Sequence, residues 1–359
     1  MSRQGEVMND AVKSDRKRVT LRDVAREAGV SLKTASNVIN QTGRMSEATR
    51  EKVQQVIDDM GYQVNMAARN LNFQHTGFVT LAVPSLKPPY LAELADYVID
   101  AARKRSYSVY AITYDGSDTA ARHVLESFNN TISDGIIMSL PEGSELTPDD
   151  LDVEYPLVCV GARTTWGRAD WVRTDDVADG ETAAEYLFHK GATRLAVVGA
   201  RSPYDPEGWC AAVDGNAAMR LHGIMDACAE HGRELDPRLL GVTGQDWGIG
   251  GGVRAMQQVI DSGVPFDGVV ALNDQLATGV ITALAANGFS IPDQMQVIGF
   301  DNIEESQYLQ PPLTTMDSCL SWIAPTAMER LIGRIRGYIT APETLSIRSQ
   351  VIPRATTRI

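Results

Sequence analysis

The stretch Val19–Asn40, VTLRDVAREAGVSLKTASNVIN, reads as two short helices joined by a tight turn. Leu21, Val24, Ala25 and Ala28 fall at i, i+3, i+4 and i+7, the spacing of one apolar helix face. Thr20 stands before that run as an N-cap, and Asp23, three residues on, supplies the acidic half of a capping box. Gly29 is where the first helix can end and the chain turn sharply, because glycine reaches backbone conformations closed to other residues. Ser31 then caps a second helix whose Ala35, Val38 and Ile39 face inward. Lys33 and Asn37, four apart, share the opposite face with Thr34 close by. Helix, glycine turn and a second helix with a hydrogen-bonding outer face describe a helix-turn-helix DNA reader. Two amphipathic helices of an ordinary bundle share the same pattern.

What surrounds this head favours the DNA reading. The chain has 359 residues, enough for two or three domains with buried cores. Its net charge of −13 looks unfavourable for nucleic acid, but the charge is unevenly spread. Of 33 Lys+Arg and 46 Asp+Glu, 12 and 9 lie at or before Leu71, so the first 71 residues carry +3 and the remainder −16. A mildly basic head on an acidic body suits a DNA-binding module attached to something that does not bind DNA. No run of about 18 apolar residues exists to span a membrane, and the polar N-terminus lacks the apolar core of a signal peptide. Cys159, Cys210, Cys228 and Cys319 are far apart, so buried free thiols in a reducing cytoplasm are expected.

Residues 1–18 read as a solvated tail. After the two helices, Ser46 is an N-cap, Val53, Val56, Ile57 and Met60 form a second apolar stripe, and Gly61 closes that helix. The following Ala/Asn/Arg-rich segment has no stripe to dock on a core; it is a linker, or a helix that forms only against a partner. From Phe78 onward, apolar runs such as FVTLAV, GIIMS, LVCV, LAVVG, VVAL and VIGF alternate with helical stretches, among them 90–104, 119–131, 215–231, 250–262 and 274–286. Repeated β-α-β units with buried strands mean parallel doubly wound sheets, and their number calls for two α/β lobes. Ligands in such sheets sit beyond the strand C-termini, here in the cleft between lobes.

Catalytic and metal signatures are not found. GIGGGV at 248–253 lacks the Lys-Ser/Thr of a phosphate-binding loop and does not fit G-x-G-x-x-G, so a plain helix start is favoured. The histidines show no H-E-x-x-H spacing, and G-x-S-x-G does not occur. No enzyme activity, cofactor or metal is expected.

The whole chain resembles the lactose/galactose repressor (LacI/GalR) family of bacterial transcription regulators. The motifs are VTLRDVAREAGVSLKTASNVIN, MSEATREKVQQVIDDMGYQVNMAARNL, NDQLATGV, VIGFDNIEES and PPLTT at 311–315, in family order from Val19 to the C-terminus. The resemblance implies a multi-domain protein: an all-α helix-turn-helix head at 19–63, a hinge helix and linker at 64–76, and an effector-binding and dimerisation domain of periplasmic-binding-protein fold at 77–359. By that analogy the N-lobe is 77–174 plus 318–338, and the C-lobe is 175–317 plus 339–359, including a last strand LSIRSQVIP.

The resemblance also carries the site residues. Ser31 to Asn40 becomes the recognition helix, with Leu32, Lys33 and Asn37 at the base-reading positions. Thr20, Ser31, Thr34, Asn40, Ser46 and Thr49 match or border phosphate contacts, which fix register rather than sequence. Asn37 is a departure, since many members carry Arg there. Asn65 and Leu71 fall in the hinge, where the family's Leu wedges into the central base step of the minor groove. Val64 replaces a common Pro, removing a pre-organised helix start. Tyr90, Arg220, Trp247, Asn273 and Asp301 match effector-binding positions, and such groups suit a polyhydroxylated ligand. Arg220 and Asp301 could instead pair with each other or support the turn.

A cytoplasmic, nucleoid-associated homodimer on a pseudo-palindromic operator, with allosteric control of a repressor by a sugar, is the function so implied. The alternative is a soluble sugar-sensing or binding protein whose helical head makes protein contacts. No apolar heptad repeat follows Ile352, so tetramers built that way are not expected.

Overall fold

The computed structural model describes residues 19–39, 42–62, 75–141 and 145–358. Two compact units divide between residues 74 and 75.

In the first unit, helix α1 (Leu21–Glu27) opens on a complete capping box in which Thr20 and Asp23 satisfy each other's backbone N–H. Helix α2 (Leu32–Ile39) follows a left-handed turn at Gly29, φ +64°, and helix α3 (Glu47–Met60) runs from a Ser46 cap to a left-handed Gly61. Val24, Ala25, Ala28, Ala35, Val38 and Val53 form the core of this unit. Of the expected α3 stripe only Val53 is fully buried; Val56, Ile57 and Met60 pack against the edge, since three short helices cannot enclose more.

The second unit begins with β1 (Phe78–Val83), α4 (Pro89–Arg103), β2 (Ser108–Thr113), α5 (Asp118–Glu126), β3 (Ile136–Ser139), β4 (Leu157–Val160) and β5 (Asp170–Thr174). It then crosses to α6 (Asp176–His189), β6 (Leu195–Ala200), α7 (Pro206–Ala211), α8 (Asn216–Glu230), β7 (Leu240–Val242), α9 (Ile249–Asp261), β8 (Gly268–Ala271), α10 (Asp274–Ala286), β9 (Gln296–Asp301) and β10 (Thr314–Asp317). Helix α11 (Leu320–Ile335) returns to pack on α4 and on β3 to β5. Two short strands, β11 (Thr344–Ile347) and β12 (Val351–Ile352), end the chain. The first lobe's sheet has the order β11-β5-β4-β3-β1-β2, all parallel; the second has β12-β10-β9-β8-β6-β7, parallel except for β12.

Three expectations need correcting. LSIRSQVIP is not one strand of the second lobe: Thr344–Ile347 pairs with β5 in the first, and only Val351–Ile352 pairs with β10 in the second. The break falls at Ser349, whose N–H and hydroxyl both donate to the Asp179 carboxylate, at 2.8 and 2.6 Å. The helix read at 119–131 stops at Glu126, because Asn129 accepts from the Thr131 N–H and hydroxyl and so competes for the backbone. Cys210 is exposed while Cys159, Cys228 and Cys319 are buried; α7 is too short to bury more than Trp209.

Glycine sets the helix spacing around the cleft. A Cβ at Gly223 on α8 would lie 1.9 Å from the Val177 carbonyl oxygen of α6, so these helices meet backbone to backbone. Within GIGGGV, Gly252 works likewise: a Cβ there would lie 2.4 Å from the Leu276 carbonyl oxygen of α10, so this glycine serves helix packing. No helix among the described residues is long and apolar enough to cross a membrane.

Candidate effector site and DNA-reading face

On α2, Leu32 is 45% exposed, which places it on the surface rather than in the core, and Lys33 beside it is exposed as well. Asn37 is half-buried against the following loop, where a Cβ at Gly43 would lie 2.7 Å from its amide nitrogen. The expected phosphate-contacting hydroxyls are all engaged at helix starts. Thr20 donates to Asp23 at 2.6 Å, Ser31 caps the Thr34 N–H at 3.0 Å and Ser46 caps the Thr49 N–H at 3.2 Å. The Thr20 hydroxyl holds the Asp23 carboxyl below its usual range, with help from the Thr20 N–H and Arg26. Asn40, Asn65 and Leu71 lie outside the described residues.

In the second unit, loops at the C-terminal ends of both sheets enclose a cavity of about 970 Å³, a size ordinary for a small-molecule site. Tyr90, Arg220, Trp247, Asn273 and Asp301 all line it.

Arg220, 7% exposed on α8, is not paired with Asp301. Its Nε donates to Asp176 at 2.8 Å and its Nη1 to the Leu272 carbonyl at 2.6 Å, while its guanidinium carbon sits 4.2 Å from the Phe300 ring centroid. Asn216 adds a further donor to Asp176, at 3.2 Å. Burial opposes the Arg220 charge, but Asp176, Asp301 and Asp179 outweigh it and its pKa is raised.

Asp301, at the end of β9, hydrogen-bonds to no described residue through its carboxylate. Burial pushes its pKa up to about 7; Arg220 pulls it down, and Asp176 and Glu93 push it up again. Its φ of +102° and the +54° of Asn302 are positions L side chains rarely adopt. The turn is held from outside the cavity. Asp274 accepts from the Ile303 N–H at 3.1 Å and the Thr315 hydroxyl at 2.6 Å, and Arg354 donates to the Asn302 side-chain amide oxygen at 2.6 Å.

Tyr90 faces the same charges from the first lobe. Burial raises its pKa, Asp301 and Asp176 raise it further, and Arg220 lowers it. Asn273 is largely committed to the fold, accepting from the Leu276 N–H at 2.7 Å as the cap of α10 and donating to the Trp247 carbonyl at 3.1 Å. That bond places Trp247, whose ring carries the Arg201 guanidinium at 4.6 Å and whose buried indole N–H has no partner among the described residues. Asp176, Phe300, Arg201 and Arg173 belong to the site but were not singled out from the sequence. Asp176 follows another aspartate in TDD and reads as a helix cap; its pairing with Arg220, 44 residues away, leaves no local signal.

A three-helix DNA-binding unit and a two-lobed domain with a polar, aromatic cavity at its strand ends together define a ligand-controlled DNA-binding regulator. Residues 20–65 match the bacterial regulatory proteins of the lacI family, and residues 184–357 match the periplasmic binding protein-like domain. The chain is 30% identical over 338 residues to the ribose operon repressor of Escherichia coli (strain K12), across 93% of this chain and 97% of that one. The chain belongs to the lacI family, and it is a sequence-specific DNA-binding transcriptional regulator. Among solved structures, a LacI-type transcription regulator from Bifidobacterium animalis subsp. lactis is 31% identical, with a TM-score of 0.74 over 79% of this chain and 100% of that one. A complex of the transcriptional regulator CelR with cellobiose is 25% identical, with a TM-score of 0.69 over 94% of this chain and 100% of that one.

Proposed function

We propose that this protein is a repressor that acts as a homodimer on a pseudo-palindromic operator in the cytoplasm, its affinity set by a carbohydrate bound between the two lobes. The observation that carries the ligand reading is the neutralised Arg220–Asp176 pair beside the unpaired Asp301 carboxylate, with Phe300 and Trp247 on the same cavity. Charged forks bind vicinal hydroxyls, and ring faces cover the C–H patches of a sugar. The ribose operon repressor and the CelR–cellobiose complex among its relatives support the same ligand class.

Leu32, Lys33 and Asn37 read bases, and the hydroxyls at the three helix starts hold phosphates. Residues 64–76 form the hinge, where Leu71 wedges into the minor groove. A ligand that prefers one lobe arrangement changes the cost of seating two heads on one site. Operator selection from random DNA, with and without a panel of sugars, tests the reading. Enrichment of a two-fold symmetric site whose recovery changes with one sugar supports it; a site indifferent to every sugar overturns the effector half.

A further inference from the structure

Among the guanidinium groups held by aromatic rings around the cavity, Arg220 and Arg173 differ in how their donors are used. Arg220, over Phe300, spends its Nε and Nη1 on Asp176 and the Leu272 carbonyl. Arg173, at the end of β5 in the other lobe, also lines the cavity and is half-buried. Its guanidinium carbon lies 4.4 Å from the centroid of the buried Trp171 ring. Its only hydrogen bond to a described residue goes from Nη1 to the Met219 sulfur at 3.5 Å, and its buried Nε has no partner among the described residues. No carboxylate among the described residues pairs with it.

A guanidinium whose Nε is cut off from water is costly to hold without a counter-charge. A ring face offsets part of that cost, and a thioether is a weak acceptor. Trp171 is itself fixed, its indole N–H donating to the Gly161 carbonyl at 2.6 Å, so the Arg173 plane is presented rather than left to wander. A planar fork with unspent donors is the group that recognises carboxylate or phosphate in two-point fashion.

We propose that Arg173 receives the anionic group, carboxylate or phosphate, of an acidic carbohydrate whose hydroxyls are taken by Arg220 and Asp301. The inference rests on the effector reading above and narrows it from sugars in general to sugar acids or sugar phosphates.

The test is calorimetric titration of the full-length chain with matched sets of ligands: hexoses, the corresponding hexuronates, and the corresponding hexose 6-phosphates. Expected is at least one acidic member that binds about 10- to 100-fold more tightly than its neutral parent. Whether the uronate or the phosphate shows the gain identifies the anion. In Arg173→Gln the ratio of acidic to neutral affinity collapses toward one; in Arg173→Lys, which keeps charge but loses the fork, it is intermediate. Circular dichroism melting of both variants establishes that each is folded. A neutral sugar that binds as tightly as its acidic partners, with the ratio unmoved by Arg173→Gln, overturns the anion assignment and leaves the effector reading standing. If no member of any set binds wild type, both fall.

Discussion

Arg163, in the loop after β4 of the first lobe, donates to Asp214, in the loop before α8 of the second, at 2.9 Å, with both side chains mostly buried. The Asp214 carboxylate also accepts from the Thr164 N–H at 3.1 Å, and the Gly215 N–H donates to the Ala162 carbonyl at 3.0 Å. Away from the crossover segments, Glu93 of α4 accepts from the Glu304 N–H at 3.1 Å. The lobes are therefore tied across the cleft by bonds separate from their covalent connections.

Arg163→Met should weaken effector binding by roughly tenfold, the order expected when a partly buried pair costing ~1–2 kcal/mol is lost. The ligand must then bring the lobes together with one inter-lobe tie fewer. Calorimetric titration with the selected effector checks this, and unchanged affinity would show that the pair does not bias lobe arrangement.

Asp176→Ala removes the carboxylate hydrogen-bonded to the buried Arg220, leaving the Leu272 carbonyl, the Phe300 face and the more distant charges of Asp301 and Asp179. Breaking one side of a buried pair in this way costs about 3–5 kcal/mol. Urea unfolding of the effector domain should show a loss of that order, and Asp176→Asn a smaller one. A loss below about 1 kcal/mol would mean that water replaces the carboxylate.

Asp301 gives a pH signature. Its carboxyl is raised from 3.8 to about 7, so the folded chain holds that proton more tightly than the unfolded chain does. Stability from this group is fully present below pH 3.8 and is lost as pH rises to about 7. Asp179, raised to about 6 by burial at the lobe crossover, acts in the same sense. Asp301→Asn should therefore raise the melting temperature at pH 8, by at most about 4 kcal/mol of stabilisation, and change it little at pH 4. An equal gain at both pH values would assign the effect to the left-handed backbone instead.

The alternation of apolar strands with helices made the two lobes legible, because fully buried parallel strands must read as continuous apolar runs. The final segment was not legible: LSIRSQVIP reads as one run, and long-range bonds, among them those from Ser349 to Asp179, divide it between two sheets. In the cavity, Arg220 and Asp301 were located from motif resemblance, but their partners were not. Asp176 and Phe300 meet Arg220 through contacts 44 and 80 residues apart in the chain, which no local spacing encodes. Arg173 was missed because an arginine in a strand end, WVRT, is unremarkable until its Nε is seen to be buried with no partner among the described residues.

Lys33 supplies the final prediction. It is exposed on α2 beside an equally exposed Leu32, whereas Thr34 is tied to Ser31 and Asn37 is half-buried. The free ammonium is thus the group on this face best able to donate to a guanine edge, a contact worth about 1–3 kcal/mol of discrimination. Lys33→Ala should weaken binding to the selected operator by that amount while leaving binding to random DNA within about twofold, since non-specific affinity comes from phosphate neutralisation summed over many cations. Parallel salt titrations on operator and random DNA separate the cases. An equal loss on both, with the salt slope reduced by about one, would make Lys33 a phosphate contact and shift base reading to Leu32 and Asn37.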